Sequence, residues 1–92
     1  MHDDWVVYMI ELSDRSYYTG ITNNLERRLK AHRKGKGSKY VKSRLPILEL
    51  LYLEPVANKS KALKRESVIK KMTRRKKDAL IKSFSDGSLQ MP

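Results

Sequence analysis

The sequence predicts an α/β domain in which a small antiparallel three-stranded sheet is flanked by helices, in the order β-β-α-(α)-β-α-α. Three observations support this. Trp5-Val-Val-Tyr-Met-Ile-Glu-Leu12 is dense in β-branched and aromatic residues and is followed, across a polar turn, by a second such run. Two later segments carry apolar residues at helical spacing, and Pro46 and Pro55 bracket a third apolar run between them. A chain of 92 residues has material for one hydrophobic core.

Within the first run, period-two alternation places Val6, Tyr8, Ile10 and Leu12 on one face of a strand. Ser13-Asp14-Arg15-Ser16 is turn chemistry, and Tyr17-Tyr18-Thr19-Gly20-Ile21 resumes a strand, so the two runs form a hairpin. Asn23 followed three residues later by Glu26 predicts an N-cap with a reciprocal acid, opening a helix over about residues 24–34 that Gly35 or Gly37 ends. Leu25 and Leu29 are its buried contacts. Lys36 to Arg44 is a basic loop or short helix carrying Lys36, Lys39, Lys42 and Arg44. Ile47 to Glu54 is the third strand. Lys59 to Met72 is an amphipathic helix capped by Asn58 or Ser60. Thr73 caps a last helix that runs to about Phe84 and packs through Ala79, Leu80, Ile81 and Phe84. Residues 1–84 thus form a single domain, and 85–92 are expected to be a flexible tail.

Charge narrows the function classes. Lysine and arginine number 21 against 10 acids, a net of +11. The imbalance is uneven, at −3 over residues 1–21 and +14 over the remainder. Such a field attracts polyanions and releases their counterions, which makes nucleic acid the first partner to consider. The absence of cysteine excludes disulfides, thiol nucleophiles and cysteine-ligated zinc, and fits a reducing cytoplasm. The acidic start Met1-His2-Asp3-Asp4 is unlike a signal peptide, and no apolar run is long enough for a bilayer, so no membrane partner is expected.

Several residues are candidates for chemistry. Glu66 interrupts the apolar face of its helix, with Ala62 and Ile69 on one side and Leu63 on the other. A carboxylate there needs a cation, and spacing leaves open a structural ion pair or a metal ion. Arg28 and His32, four residues apart, share a helix face and can reach one ligand, the first as a planar fork for phosphate oxygens and the second as a proton carrier. A merely solvated basic face would look the same. Tyr8 and Tyr18 stand in the two hairpin strands, either as packing residues or as phenols whose phenolate a nearby cation would favour. Gly35-Lys-Gly37-Ser38 follows a helix and lacks the spacing of a phosphate-cradling loop, and His2 and His32 form no zinc motif.

Together these positions resemble the GIY-YIG nuclease superfamily, in particular its small bacterial members that consist of the one domain, and the likeness runs from Val6 to about Ile81. Val6-Val7-Tyr8 matches the first signature element and Tyr18-Thr19-Gly20 the second. Arg28 and His32, in Glu26-Arg-Arg-Leu-Lys-Ala-His32, match the helix motif, and Glu66, in Ala62-Leu-Lys-Arg-Glu66, matches the distal glutamate. Val6 stands in place of the first glycine, Ile21 where some relatives carry a lysine, and no supporting asparagine is evident near Met72 to Arg75. The resemblance implies a metal-dependent endonuclease with one Mg²⁺ (or Mn²⁺) ion on Glu66, Arg28 stabilising charge on the scissile phosphate, Tyr8 activating water, and Tyr18 or His32 orienting it. Gly20 would let a backbone approach closely, and Lys36, Lys39, Lys42 and Arg44 would bind nucleic acid, DNA before RNA, with a protein partner as a further source of specificity. The alternatives are a nucleic-acid-binding module with little or no turnover, and an accessory protein docking on a ribosome or repair complex.

Overall fold

The computed structural model describes residues 4–90, with side chains as far as Asp86. Its elements are β1 (Trp5–Leu12), β2 (Tyr17–Thr22), α1 (Leu25–Arg33), α2 (Lys39–Lys42), β3 (Ile47–Val56), α3 (Lys59–Lys70) and α4 (Arg74–Gln90). The strands form one antiparallel sheet in the order β2-β1-β3, which is the architecture expected from the sequence. β1 is central, and its alternation feeds two cores. Tyr8, Ile10 and Leu12 join Val41, with Leu25 and Leu29 of α1 packed against them. Val7 and Met9 join Tyr52, Ala62 and Ile69, covered by Leu80, Ile81 and Phe84 of α4. A strand buried on both faces needs no polar residue until its end, which is why β1 reads as a continuous apolar run.

β3 is an edge strand, and this explains how Pro55 lies inside it rather than ending it. It has 10 residues against the 8 of β1, and the excess is absorbed by register shifts between Met9 and Ile10 and between Glu11 and Leu12. Those shifts break the alternation and leave Leu48 and Leu50 exposed.

Local chemistry moves several boundaries. The cap of α1 is Asn24, whose side chain accepts from Arg27 N at 3.1 Å, and not Asn23. Thr22 Oγ1 takes up Asn24 N at 3.0 Å, so the strand end fixes the register, and the expected Asn23–Glu26 pairing does not define the helix start. Ser38 caps α2, Asn58 caps α3 and Thr73 accepts from Lys76 N ahead of α4. α4 is longer than expected. Residues 85–90, read from the sequence as tail, continue the helix to Gln90, while 91 and 92 lie outside the described residues. Ala79 is exposed, and the apolar contacts of α4 with the core among the described side chains are Leu80, Ile81 and Phe84.

Two polar clamps orient the second helical layer. Arg65 Nε donates to Glu54 Oε1 at 2.9 Å, an acceptor shared with the Tyr52 hydroxyl, and ties α3 to β3. The Tyr17 hydroxyl donates to Asp78 at 2.6 Å while Arg74 lies 3.5 Å over the Tyr17 ring, tying α4 to β2. No helix of the described residues is long and apolar enough to cross a membrane.

Candidate active site

The hairpin register pairs Tyr8 with Gly20 and Ile10 with Tyr18. Tyr8 and Tyr18 are therefore diagonal neighbours on one face, with ring centroids 6.4 Å apart. α1 crosses this face. Its three-to-four residue period presents Leu25 and Leu29 to the core and brings His32 against both tyrosines, at 6.1 Å from the Tyr8 ring and 5.4 Å from the Tyr18 ring. His32 is fully buried, and its Nε2 shares a 2.8 Å hydrogen bond with Tyr8 Oη.

Gly20 lies opposite Tyr8, and any Cβ there would stand 2.7 Å from Tyr8 Cζ and 3.1 Å from Tyr18 Cε2. This changes the reason expected for the glycine. The space above it holds the Tyr8 phenol and not an incoming backbone.

Arg28, one turn before His32, carries its guanidinium to the same place. Its Nη2 donates to Gly37 O at 3.3 Å, the Tyr8 and Tyr18 hydroxyls lie close enough to interact with its charge, and its Nε is buried without a protein partner. The phenols hold the Arg28 charge more firmly than usual. Burial pushes the Tyr8 hydroxyl up to about 12, although the Arg28 guanidinium opposes that rise. Burial, and then the positive charge of Arg28, lowers His32 to about 4. His32 is thus a neutral imidazole at physiological pH.

This shift has a testable sign. The unfolded chain binds a proton on His32 below about 6.5 and the folded protein only near 4, so stability is undiminished above pH 6.5 and falls as the pH drops between them. The loss over that window is roughly 3 kcal/mol at most. Urea denaturation at pH 7 and pH 4 should show wild type losing more stability than His32→Gln. Equal losses in the two proteins would remove His32 as the source.

Glu66 lies between the buried contacts Ala62 and Ile69, as its spacing predicts, whereas Leu63 is exposed. Its side chain is only 18% exposed and its carboxylate is 3.3 Å from Lys70 Nζ, an i,i+4 pair on α3. It is also close enough to Tyr8 to raise the energy of the phenolate. The ion pair and the approach to the tyrosine cluster therefore coexist.

The basic segment divides. Lys36, Lys39 and Lys42 are exposed. Arg44, 34% exposed, is already engaged by groups of this chain. Its Nε donates to Asp14 at 3.0 Å, its Nη1 donates to Tyr40 O and Ser43 Oγ, and it lies 3.7 Å over the Tyr40 ring. Tyr40, which the sequence does not single out, stacks on Tyr18 at 6.3 Å and remains 40% exposed. A polar cleft of about 300 Å³ opens beside the cluster, lined by Thr22, Asn23, Asn24, Arg27, Arg28 and Ala31. A larger one of about 600 Å³, lined by Arg33, Leu45, Pro46 and Ile47, touches none of the cluster.

The profile of the GIY-YIG catalytic domain matches residues 4–78, a span that holds both hairpin tyrosines, Arg28, His32 and Glu66. The chain belongs to the GIY-YIG family. Among its relatives, a UPF0213 protein of Clostridium perfringens is 51% identical over 86% of this chain and 84% of its own. One of Haloquadratum walsbyi is 43% identical over 94% and 96%. The solution NMR structure of the UPF0213 protein BH0048 from Bacillus halodurans is similar to this fold, with a TM-score of 0.56 and 38% identity over 86% of this chain and 83% of that one. The matched span includes β1, β2, α1 and α3, the elements that bring Tyr8, Tyr18, Arg28, His32 and Glu66 to this face of the sheet.

Proposed function

We propose that this GIY-YIG protein is a metal-dependent endonuclease that hydrolyses phosphodiester bonds of nucleic acid, DNA in preference to RNA, in the cytoplasm. The observation that carries the reading is the convergence of Tyr8, Tyr18, His32 and the Arg28 guanidinium on one sheet face, with a carboxylate in electrostatic reach, in a chain whose residues from 22 onward have a net charge of +14. A binding module does not need a carboxylate against buried phenols in so basic a surface, because it repels phosphate.

The donor set fits one Mg²⁺ or Mn²⁺ ion. Among the described residues no three His, Cys, Asp or Glu side chains group together, so an all-protein cage is excluded there. Mg²⁺ takes one carboxylate, here Glu66, and completes its shell with water and phosphate oxygens. Bound there, the ion would supply Lewis-acid polarisation of the phosphate.

The chain's own residues account for the rest. Arg28 has a buried Nε without a protein partner, and its planar fork suits charge growing on phosphate oxygens. His32 Nδ1 is buried and unpartnered, and a bare lone pair is less costly to bury than an N–H. On this reading Nε2 carries the proton and donates to Tyr8 Oη. That bond and the Arg28 charge nearby both favour the phenolate, the form able to take a proton from water, against the burial that opposes it. Tyr18 stands beside both Tyr8 and His32. Lys36, Lys39 and Lys42 supply backbone-directed attraction, and specificity comes from substrate shape or from a protein partner.

Incubation of the protein with supercoiled and branched DNA, in Mg²⁺ and in EDTA, tests the reading. Nicking in Mg²⁺ only is the expected result. The raised Tyr8 hydroxyl favours a second reading, a nucleic-acid-binding module with little turnover, and binding without any metal-dependent nicking would establish it in place of the first.

A further inference from the structure

We infer that Gly37 is a positioning residue of this site, whose missing side chain seats the His32 ring and whose carbonyl holds the Arg28 guanidinium. The inference rests on reading Tyr8, Arg28 and His32 as the catalytic cluster.

Gly37 lies in the basic connection between α1 and α2, in the Gly35-Lys-Gly37-Ser38 stretch that has no phosphate-loop spacing. The two glycines there have different reasons. Gly35 has φ +75°, a backbone conformation that side chains rarely adopt. Gly37 has no positive φ, so its backbone would accept alanine. What forbids a side chain is the imidazole. A Cβ at residue 37 would fall on His32 Nδ1 and lie 2.7 Å from Cε1 and 3.2 Å from Cγ.

The ring has no room to retreat. It is fully buried, its opposite edge is held by the 2.8 Å bond between Nε2 and Tyr8 Oη, and the Tyr18 ring stands against it. A methyl group at 37 therefore presses His32 toward Tyr8 or turns it off that bond. The same residue's carbonyl accepts from Arg28 Nη2 at 3.3 Å, so a shift of the loop that relieves the ring withdraws the carbonyl from Arg28. One backbone position thus sets the geometry of both groups. It also joins them to Lys36 and to the Ser38 cap of α2, the helix that carries Lys39 and Lys42.

A mutant cycle with Gly37→Ala, His32→Ala and the double variant tests this, read by thermal unfolding, by nitrogen-edited NMR of the His32 ring and by nicking kinetics. Gly37→Ala should shift the His32 ring resonances and lower kcat by tenfold or more with less than a twofold change in KM. In the His32→Ala background the same substitution should change kcat and melting temperature little, because the obstructing ring is gone. If Gly37→Ala alone fails to fold and the double variant folds, the steric coupling is supported. An unchanged His32 spectrum in Gly37→Ala, or equal effects in both backgrounds, overturns the inference. The unfolding and NMR arms do not depend on cleavage, so a protein that never nicks DNA still decides whether Gly37 positions His32.

Discussion

Replacing Arg28 with alanine should lower the rate of DNA cleavage by about 10²–10³-fold, the usual loss when one preorganised donor to a developing anion is removed. The fold should survive, because Arg28 is only half-buried and α1 packs through Leu25, Leu29 and His32. Arg28→Lys should recover little. A lysine cannot hold the Gly37 carbonyl and present further donors to a phosphate in the geometry of a planar fork. The pH profile should move as well. Arg28 works against the burial that raises Tyr8, so without it the Tyr8 hydroxyl rises further and the limb of the rate profile that climbs with Tyr8 deprotonation shifts to higher pH, lowering the rate at each pH below it. Single-turnover kinetics from pH 6 to 10 measure both effects, with DNA affinity determined in EDTA by fluorescence anisotropy. Cleavage within threefold of wild type would remove Arg28 from the chemistry.

Glu66→Gln should abolish metal-dependent cleavage to a similar degree, by about 10³-fold, while leaving shape and hydrogen-bonding length nearly unchanged. A neutral amide is a poor partner for Mg²⁺, and the several kcal/mol of charge stabilisation that a catalytic ion supplies is lost with it. Affinity for DNA in EDTA should hold or rise, since a negative charge leaves a basic surface. Lys70→Ala separates this from the ion pair. Lys70 is 53% exposed, and an i,i+4 pair of this kind contributes about 0.3–0.5 kcal/mol, so its removal should barely affect stability or cleavage. Retention of Mg²⁺-dependent nicking by Glu66→Gln sinks the assignment of the metal. Loss of stability without loss of nicking returns Glu66 to a structural role.

Much of this site is legible in the amino-acid sequence. Arg28 and His32 are one helical turn apart, so local periodicity puts them on a common face, while Tyr8 and Tyr18 sit on adjacent strands of a legible hairpin whose register brings them to one face. Glu66 stands out because a carboxylate breaks an apolar stripe. The partners of Arg44 are not legible, because charge in a sequence does not reveal its partner, and Asp14, thirty positions earlier, is brought to it only by the fold. Tyr40 carries no local signal for the same reason, since its stacking on Tyr18 joins α2 to β2. The extent of α4 exceeds the sequence expectation because Ser83, Ser85, Asp86 and Gly87 are weak helix formers.

The glycines mark the boundary most clearly. By itself the sequence determined the element order, the three-stranded sheet, the family resemblance and the candidate residues for phosphate or metal, because these follow from short-range periodicity and side-chain chemistry. Only the tertiary structure decided that β1 feeds two cores, that His32 is buried against Tyr8 and Tyr18, and that a side chain at Gly20 or Gly37 would meet Tyr8 or His32. An absent side chain leaves no pattern along a chain. Its reason is the atom that occupies the space, and that atom arrives from a different strand or helix once the chain has folded.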